Sequence, residues 1–193
     1  MDSNMGIGNG RQMKKYTLFA IFLWGLGTCA LQAMDNAAFE RLPADKYEDM
    51  LREGGLAYDH KDYARAFELT RRTACAGDKT SQAMLGRMYL LGQGVTRDDF
   101  TGYAWIKLAA EFKFADYTSL ARKLEQAIAP AQRAQANARA DALRKLYAIA
   151  STNISCRGAS PHGVYIIDAV VCTPSSDGGG QVLMHRCVDL ADK

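Results

Sequence analysis

The sequence predicts a mainly α fold, with antiparallel helix hairpins in tandem followed by a small C-terminal β-hairpin. Three observations carry this prediction. From Asp45 to about Ser151 apolar residues recur with helical period, alanine is frequent, and Pro130 is the only interior proline. Within that region two stretches repeat each other at matched offsets. After Ser151 the composition turns to Ser, Thr and Gly with short β-branched runs. The 193 residues, 48% hydrophobic and 23% charged, suffice for one core and exclude disorder, collagen and a polytopic membrane protein. The net charge is +3, and residues 1–33 hold Arg11, Lys14 and Lys15 against Asp2, so the remainder is close to neutral. Such a balance argues against nucleic acid as the main partner.

Residues 1–15 are polar and end in Lys14-Lys15, and residues 16–33 (YTLFAIFLWGLGTCALQA) are apolar and close on small residues. This pattern reads as a secretory signal peptide over 1–33. The apolar stretch is about long enough to span a bilayer, so a retained anchor is the competing reading. Gly25 and Gly27 favour cleavage, after Ala30 or Ala33, because they loosen the helix where a peptidase reads extended chain. Cys29 after Leu26-Gly27-Thr28 approaches a lipobox, although Thr fits poorly before that cysteine. Export predicts a periplasmic or secreted protein, and a retained anchor an inner-membrane one held by 16–33, with no other membrane contact. Loss of Cys29 leaves Cys75, Cys156, Cys172 and Cys187, an even number suited to disulfides in an oxidising compartment. Three pairings are open. At least one bridge is expected after Ser151, with Cys75 either joined to it or buried and free.

Residues 34–151 form the expected helical-repeat domain. DYARAFELTRRTACAG has Asp62, Ala66, Leu69 and Ala74 at the same offsets as Asp98, Gly102, Trp105 and Ala110 in DDFTGYAWIKLAAE. The leading Asp suits a helix N-cap, and the small and large apolar positions form one packing stripe. Between them Ser81, Leu85, Met88 and Tyr89 share a helix face. Gly86 admits a close neighbour, and Gly92 and Gly94 stop the helix and supply a turn. Helix, glycine turn and helix are the unit.

These residues carry a resemblance. Ser81-Gln82, Leu85-Gly86, Met88-Tyr89, Gly92-Gln93-Gly94-Val95, Asp98, Trp105 and Ala109-Ala110 resemble a Sel1-like repeat, an α/α-solenoid relative of the tetratricopeptide family. The resemblance covers 77–111, and 62–77 looks like the second helix of a preceding, eroded repeat. Gly102 stands where the family usually has Ala, and Phe112 replaces the glycine that usually ends the second helix. The resemblance implies a short α/α-solenoid in an exported bacterial protein that binds another protein or peptide and does no chemistry. Leu120, Leu124 and Ile128 mark a further helix, Pro130 opens the next, and Leu143, Leu146, Tyr147 and Ile149 face inward from a capping helix.

Residues 152–193 form the cysteine-containing tail. Val164–Ile167 and Val170–Cys172 are expected to pair with a strand from Gln181 toward Val188, across the loop TPSSDGGG. Cys156, His162, Cys172, His185 and Cys187 match no zinc-finger spacing, nothing marks a thiol as activated, and Gly178-Gly179-Gly180 lacks a phosphate-loop context. No catalytic, metal or cofactor residue is expected. Trp105 and Tyr89 read as core, Tyr103 as either packed or displayed. Arg71, Arg97, Tyr103 and Tyr117 are the candidate partner-binding residues. The leading function is an adaptor or regulator in the bacterial envelope. The alternatives are an immunity or inhibitor protein against a secreted toxin, and an enzyme or metal-binding protein using the Cys/His tail.

Overall fold

The computed structural model describes residues 38–159, 169–176 and 178–188. The expected signal or anchor at 1–33, the run 164–167 and His162 lie outside them. Contacts divide the chain between Ala38 and Phe39. A strand, β1 (Phe39–Pro43), precedes six α-helices: α1 (Ala44–Asp59), α2 (Tyr63–Cys75), α3 (Lys79–Leu91), α4 (Asp99–Ala109), α5 (Ala115–Ala127) and α6 (Arg133–Tyr147). Strands β2 (Ile154–Ala159), β3 (Ala169–Pro174) and β4 (Gln181–His185) follow.

Three of the helices, α2, α3 and α4, start where a carboxylate meets unpaired amides. Asp62 accepts from the Arg65 amide and Asp78 from the Ser81 amide at 2.6 Å. Asp98 accepts from the Phe100 and Thr101 amides, both at 3.0 Å. Gly92 ends α3 in the left-handed conformation (φ 66°), and Gly94 (φ 70°) has the Tyr63 carbonyl where a Cβ would stand. The absent glycine after α4 is answered by a 3-10 turn, Ala110–Phe112, whose end places Lys113 at φ 61°.

Helices α1 and α2 form one antiparallel hairpin and α3 and α4 a second, so two complete hairpins replace the expected one and a half. Gly86 and Gly102 explain how closely the second hairpin closes: a Cβ on Gly86 would lie 2.8 Å from the Gly102 carbonyl oxygen. A Cβ on Gly102 would lie 2.6 Å from the Leu90 side chain, which is why alanine is absent there. Helices α5 and α6 both pack on α4 rather than chiefly on each other. Pro130 opens a 3-10 turn that sets the direction of α6. Leu85, Trp105, Leu108, Ala109, Leu143 and Tyr147 are buried in the helical core.

Polar groups tie the helix ends together. The Lys79 ammonium, fully buried, donates to Gln82 Oε1 (3.0 Å) and Glu111 Oε2 (2.9 Å), and Glu111 also accepts the Ile149 amide (3.1 Å). Gln82 Nε2 donates to the carbonyls of Ala74 (3.1 Å) and Tyr147 (3.0 Å). One network therefore locks the ends of α2, α4 and α6 onto the first turn of α3.

The strands pair differently from expectation. β3 pairs antiparallel with β2, placing Cys156 opposite Cys172, and those two are disulfide-bonded. β4 pairs antiparallel with β1, from Phe39 opposite His185 to Pro43 opposite Gln181. The isolated bridge between Ser176 and Val182 and the Leu183 amide on the Ser175 carbonyl (3.3 Å) link β4 back to the chain after β3. The second disulfide, Cys75–Cys187, fastens the chain after β4 to the end of α2. The strand region docks on the helices through Thr152 and Ile154 over Gly77, and through the Thr80 hydroxyl on the Val170 carbonyl (3.2 Å).

Candidate interaction groove

Four helices each contribute side chains spaced by whole multiples of four, which places them on one face of each helix. Helix α2 supplies Phe67, Arg71 and Cys75; α3 supplies Leu85 and Tyr89; α4 supplies Thr101 and Trp105; α6 supplies Arg139 and Tyr147. With Asp98, Val95 and Val188 they enclose a groove of about 450 Å³. Its floor is aromatic: Trp105 stacks on Tyr147 (5.4 Å between centroids, 19° between planes), and Phe67 meets Tyr89 edge-on at 5.5 Å. Tyr147 is in turn met edge-on by His185 of β4 at 5.3 Å.

The charges of the groove are unequal. Asp98 is spent as an N-cap, its second oxygen accepting the Thr101 hydroxyl at 2.6 Å. Burial pushes its carboxyl up, but the hydrogen bonds from Thr101 and Phe100 and the nearby Arg139 hold it below the usual carboxylate value. Against it stand Arg71 and Arg139, both engaged in further contacts. Beyond Arg71 lies a smaller cleft of about 190 Å³ edged by Arg72, Arg186 and Glu40, where Arg72 and Glu40 pair at 2.9 Å. The surface around the Cys75–Cys187 bridge is thus basic with an apolar floor.

The four candidate binding residues do not share a site. Arg71 lies in the groove. Tyr103 is 1% exposed, its hydroxyl donating to Asn137 (2.9 Å) and accepting from Lys107 (2.7 Å), so it is core and not display. Arg97 is exposed and forms a bidentate pair with Asp99 (2.8 and 3.1 Å). Tyr117 lines a separate cleft of about 270 Å³ with Tyr58, Met84 and Arg87, where burial pushes its hydroxyl pKa up. Trp105 is buried core, whereas Tyr89 is half-buried on the groove wall. Phe67 and Arg139 went unread in the sequence although Phe67, Arg71 and Cys75 have the helical spacing that exposes them. Val188 had no such signal.

All four described cysteines are bridged, so none supplies a thiolate to a metal or a substrate. Among the described residues no group of three or more His, Cys, Asp or Glu is arranged to hold a metal ion. The bridges fit an oxidising, extracytoplasmic environment. Among the described residues no helix is long and apolar enough to cross a membrane.

Residues 51–78 and 80–111 match the family model of the Sel1 repeat, and these spans fall on the α1–α2 and α3–α4 hairpins. The chain therefore carries two Sel1 repeats, a class of helical repeat that generally acts as a protein–protein interaction module. No curated protein matches the chain. Among solved structures it is similar to a protective antigen present in uropathogenic Escherichia coli strains displaying an SLR fold. The match has 26% identity and a TM-score of 0.43, and takes in 46% of this chain and 19% of that one. The chain thus spans about a fifth of that antigen.

Proposed function

We propose that the protein is an exported interaction module, periplasmic or secreted, that acts as an adaptor or regulator in a bacterial envelope by gripping a segment of another protein in the α2–α3–α4–α6 groove. The observation that carries this reading is the aromatic floor of about 450 Å³ rimmed by Arg71 and Arg139. Buried aromatic anchors and arginines are the residue types that dominate binding energy at interfaces. Export is supported by the signal-like 1–33 and by the two disulfides.

Affinity capture from an envelope fraction tests the reading. The wild-type chain should retain one or two stoichiometric partners, and Tyr89→Ala with Arg139→Glu should release them while keeping the wild-type circular dichroism. Equal recovery with the doubly substituted chain would remove the groove from the interaction.

A further inference from the structure

Strand β3 has one edge on β2 and another that the fold leaves unpaired. Val170, Val171 and Cys172 all line a cleft of about 300 Å³, shared with Met50, Leu51 and Gly55 of α1. Side chains of a strand alternate between its two faces, so three consecutive residues border one cleft when it runs along the strand's edge. The register says which backbone groups point there, because an antiparallel strand turns successive residues toward and away from its neighbour. The Ser175 amide donates to the Asn153 carbonyl (2.8 Å) and continues the β2 ladder, so Val171 and Thr173 also face β2. Val170 and Cys172 therefore face outward. Two observations agree. The Val170 carbonyl accepts the Thr80 hydroxyl (3.2 Å) from outside the ladder, and the Cys156 and Cys172 Cα atoms stand 4.0 Å apart, close to the spacing of a pair that exchanges no ladder bonds. The Val170 amide and both backbone groups of Cys172 have no hydrogen-bond partner among the described residues. Both residues are buried, so these groups lie deep in the cleft.

We propose that this edge takes up an extended, uncharged segment of another protein as an added strand. The inference goes beyond the groove reading and does not rest on it, since no residue lining the cleft also lines the groove.

Backbone chemistry, room and charge all agree with it. Buried backbone groups without partners are costly, and a strand laid along them supplies the matching donors and acceptors. In strand addition the main chain gives affinity and the side-chain pockets give selectivity. Gly55 borders the cleft and has nothing within 4 Å of an added Cβ, so the α1 wall leaves space for a chain. The other walls are apolar, with Met50, Leu51, Met84 and the exposed Val171 side chain. Asp78 is the one charged residue among those lining the cleft, and its carboxylate is committed to the Ser81 amide (2.6 Å). Uncharged, β-branched residues therefore suit the segment. Pro174, the next outward residue, offers no amide, and Thr80 already holds the Val170 carbonyl. The added strand is accordingly short, about three residues over about 7 Å. A second copy of the chain is a poor occupant, because its own β3 edge is equally recessed and two recessed edges do not meet.

The test uses the full chain labelled with 15N. The probe is an acetylated, amidated pentapeptide of alternating valine and threonine, and its twin is N-methylated at the amides that would pair. In the chain alone, the Val170 and Cys172 amides should exchange with solvent much faster than those of Val171 and Thr173. Millimolar peptide should slow both by about ten-fold or more, and the methylated twin should not. Gly55→Leu fills the open side of the cleft rather than the core, and should weaken the peptide about ten-fold without lowering the melting temperature. Tyr89→Ala with Arg139→Glu should leave peptide affinity unchanged. Slow exchange at Cys172 in the chain alone would overturn the inference, since the edge would already be paired. Equal affinity of the two peptides, or no binding at millimolar peptide, would overturn it as well. So would protection that grows with protein concentration in the absence of peptide, because the edge would then pair with a second copy. If the peptide fails while groove substitutions still release captured partners, the groove reading survives alone. If the peptide protects Cys172 while groove substitutions release nothing, the reverse holds.

Discussion

At the scale of single residues, the first turn of α3 holds two charges that the fold buries side by side, Asp78 and Lys79. Burial pushes the Asp78 carboxyl up, opposed by its hydrogen bonds with Ser81, and pushes the Lys79 ammonium down, opposed by Glu111. Because the folded Asp78 binds its proton more tightly than the unfolded one, its contribution to stability falls as pH rises from the usual carboxylate range through its folded pKa. Asn at this position still accepts the Ser81 amide but carries no charge. Asp78→Asn should therefore match or exceed the wild type in urea denaturation at pH 7, with the advantage shrinking toward pH 4. An advantage that grows on acidification would contradict the burial argument. Lys79→Ala acts oppositely, leaving Gln82 Oε1 and Glu111 without their cation, and should cost on the order of 3 kcal/mol. Trp105, 5% exposed and stacked on Tyr147, should cost about 3–5 kcal/mol on replacement by Ala. An unchanged melting curve for that variant would place the indole outside the core.

At the scale of elements, the α3–α4 crossing makes the sign of a glycine substitution informative. Ala in place of Gly within a helix ordinarily gains about 0.5–1 kcal/mol. Gly55 of α1 has nothing within 4 Å of an added Cβ, so Gly55→Ala should show that gain. Gly86→Ala should instead lose about 1–3 kcal/mol, since the atom it meets is the Gly102 backbone carbonyl and no rotamer can move it away. Equal shifts in urea midpoint for the two variants would refute the close crossing. This crossing was legible in the sequence, as were the caps at Asp62 and Asp98 and the stop at Gly92, because each is fixed by residues a few positions apart. The strands were legible in part: Val170–Cys172 and the run from Gln181 read as strands and are strands, but their partners were not legible. Phe39–Pro43 holds no β-branched residue and ends in proline, and its partner is Gln181–His185 at the far end of the chain. Local propensity cannot report a ladder of that span. The groove was half legible: spacing could have joined Phe67 to Arg71, but only the tertiary fold turns Tyr103 inward and sends Tyr117 to another cleft.

At the scale of the whole molecule, two repeats fall short of the three or so that a solenoid needs to bury a continuous core. The shortfall is met by α5 and α6 on one side and by the strand region on the other, and the Cys75–Cys187 bridge makes the second closure covalent. It joins residues 112 apart, whereas Cys156–Cys172 joins residues 16 apart. Loop-closure entropy assigns the longer bridge about 4–5 kcal/mol and the shorter about 3, before any strain. The consequences of losing each also differ in place. Without Cys75–Cys187, β4 keeps its ladder with β1, its links to Ser175 and Ser176, and the packing of Val182, Met184 and His185 on the helices, but no covalent tie, and two-stranded ladders are marginal in water. Replacing Cys75 and Cys187 by Ser should therefore lower the urea midpoint by more than replacing Cys156 and Cys172. Hydrogen exchange should speed first at Leu42 to Phe39 and at Val182 to Met184, while Leu85 and Leu108 stay protected until global unfolding. If the amides of β4 and of α4 lose protection together under native conditions, the strands are part of the same cooperative unit as the repeats, and the bridge acts on the whole molecule at once.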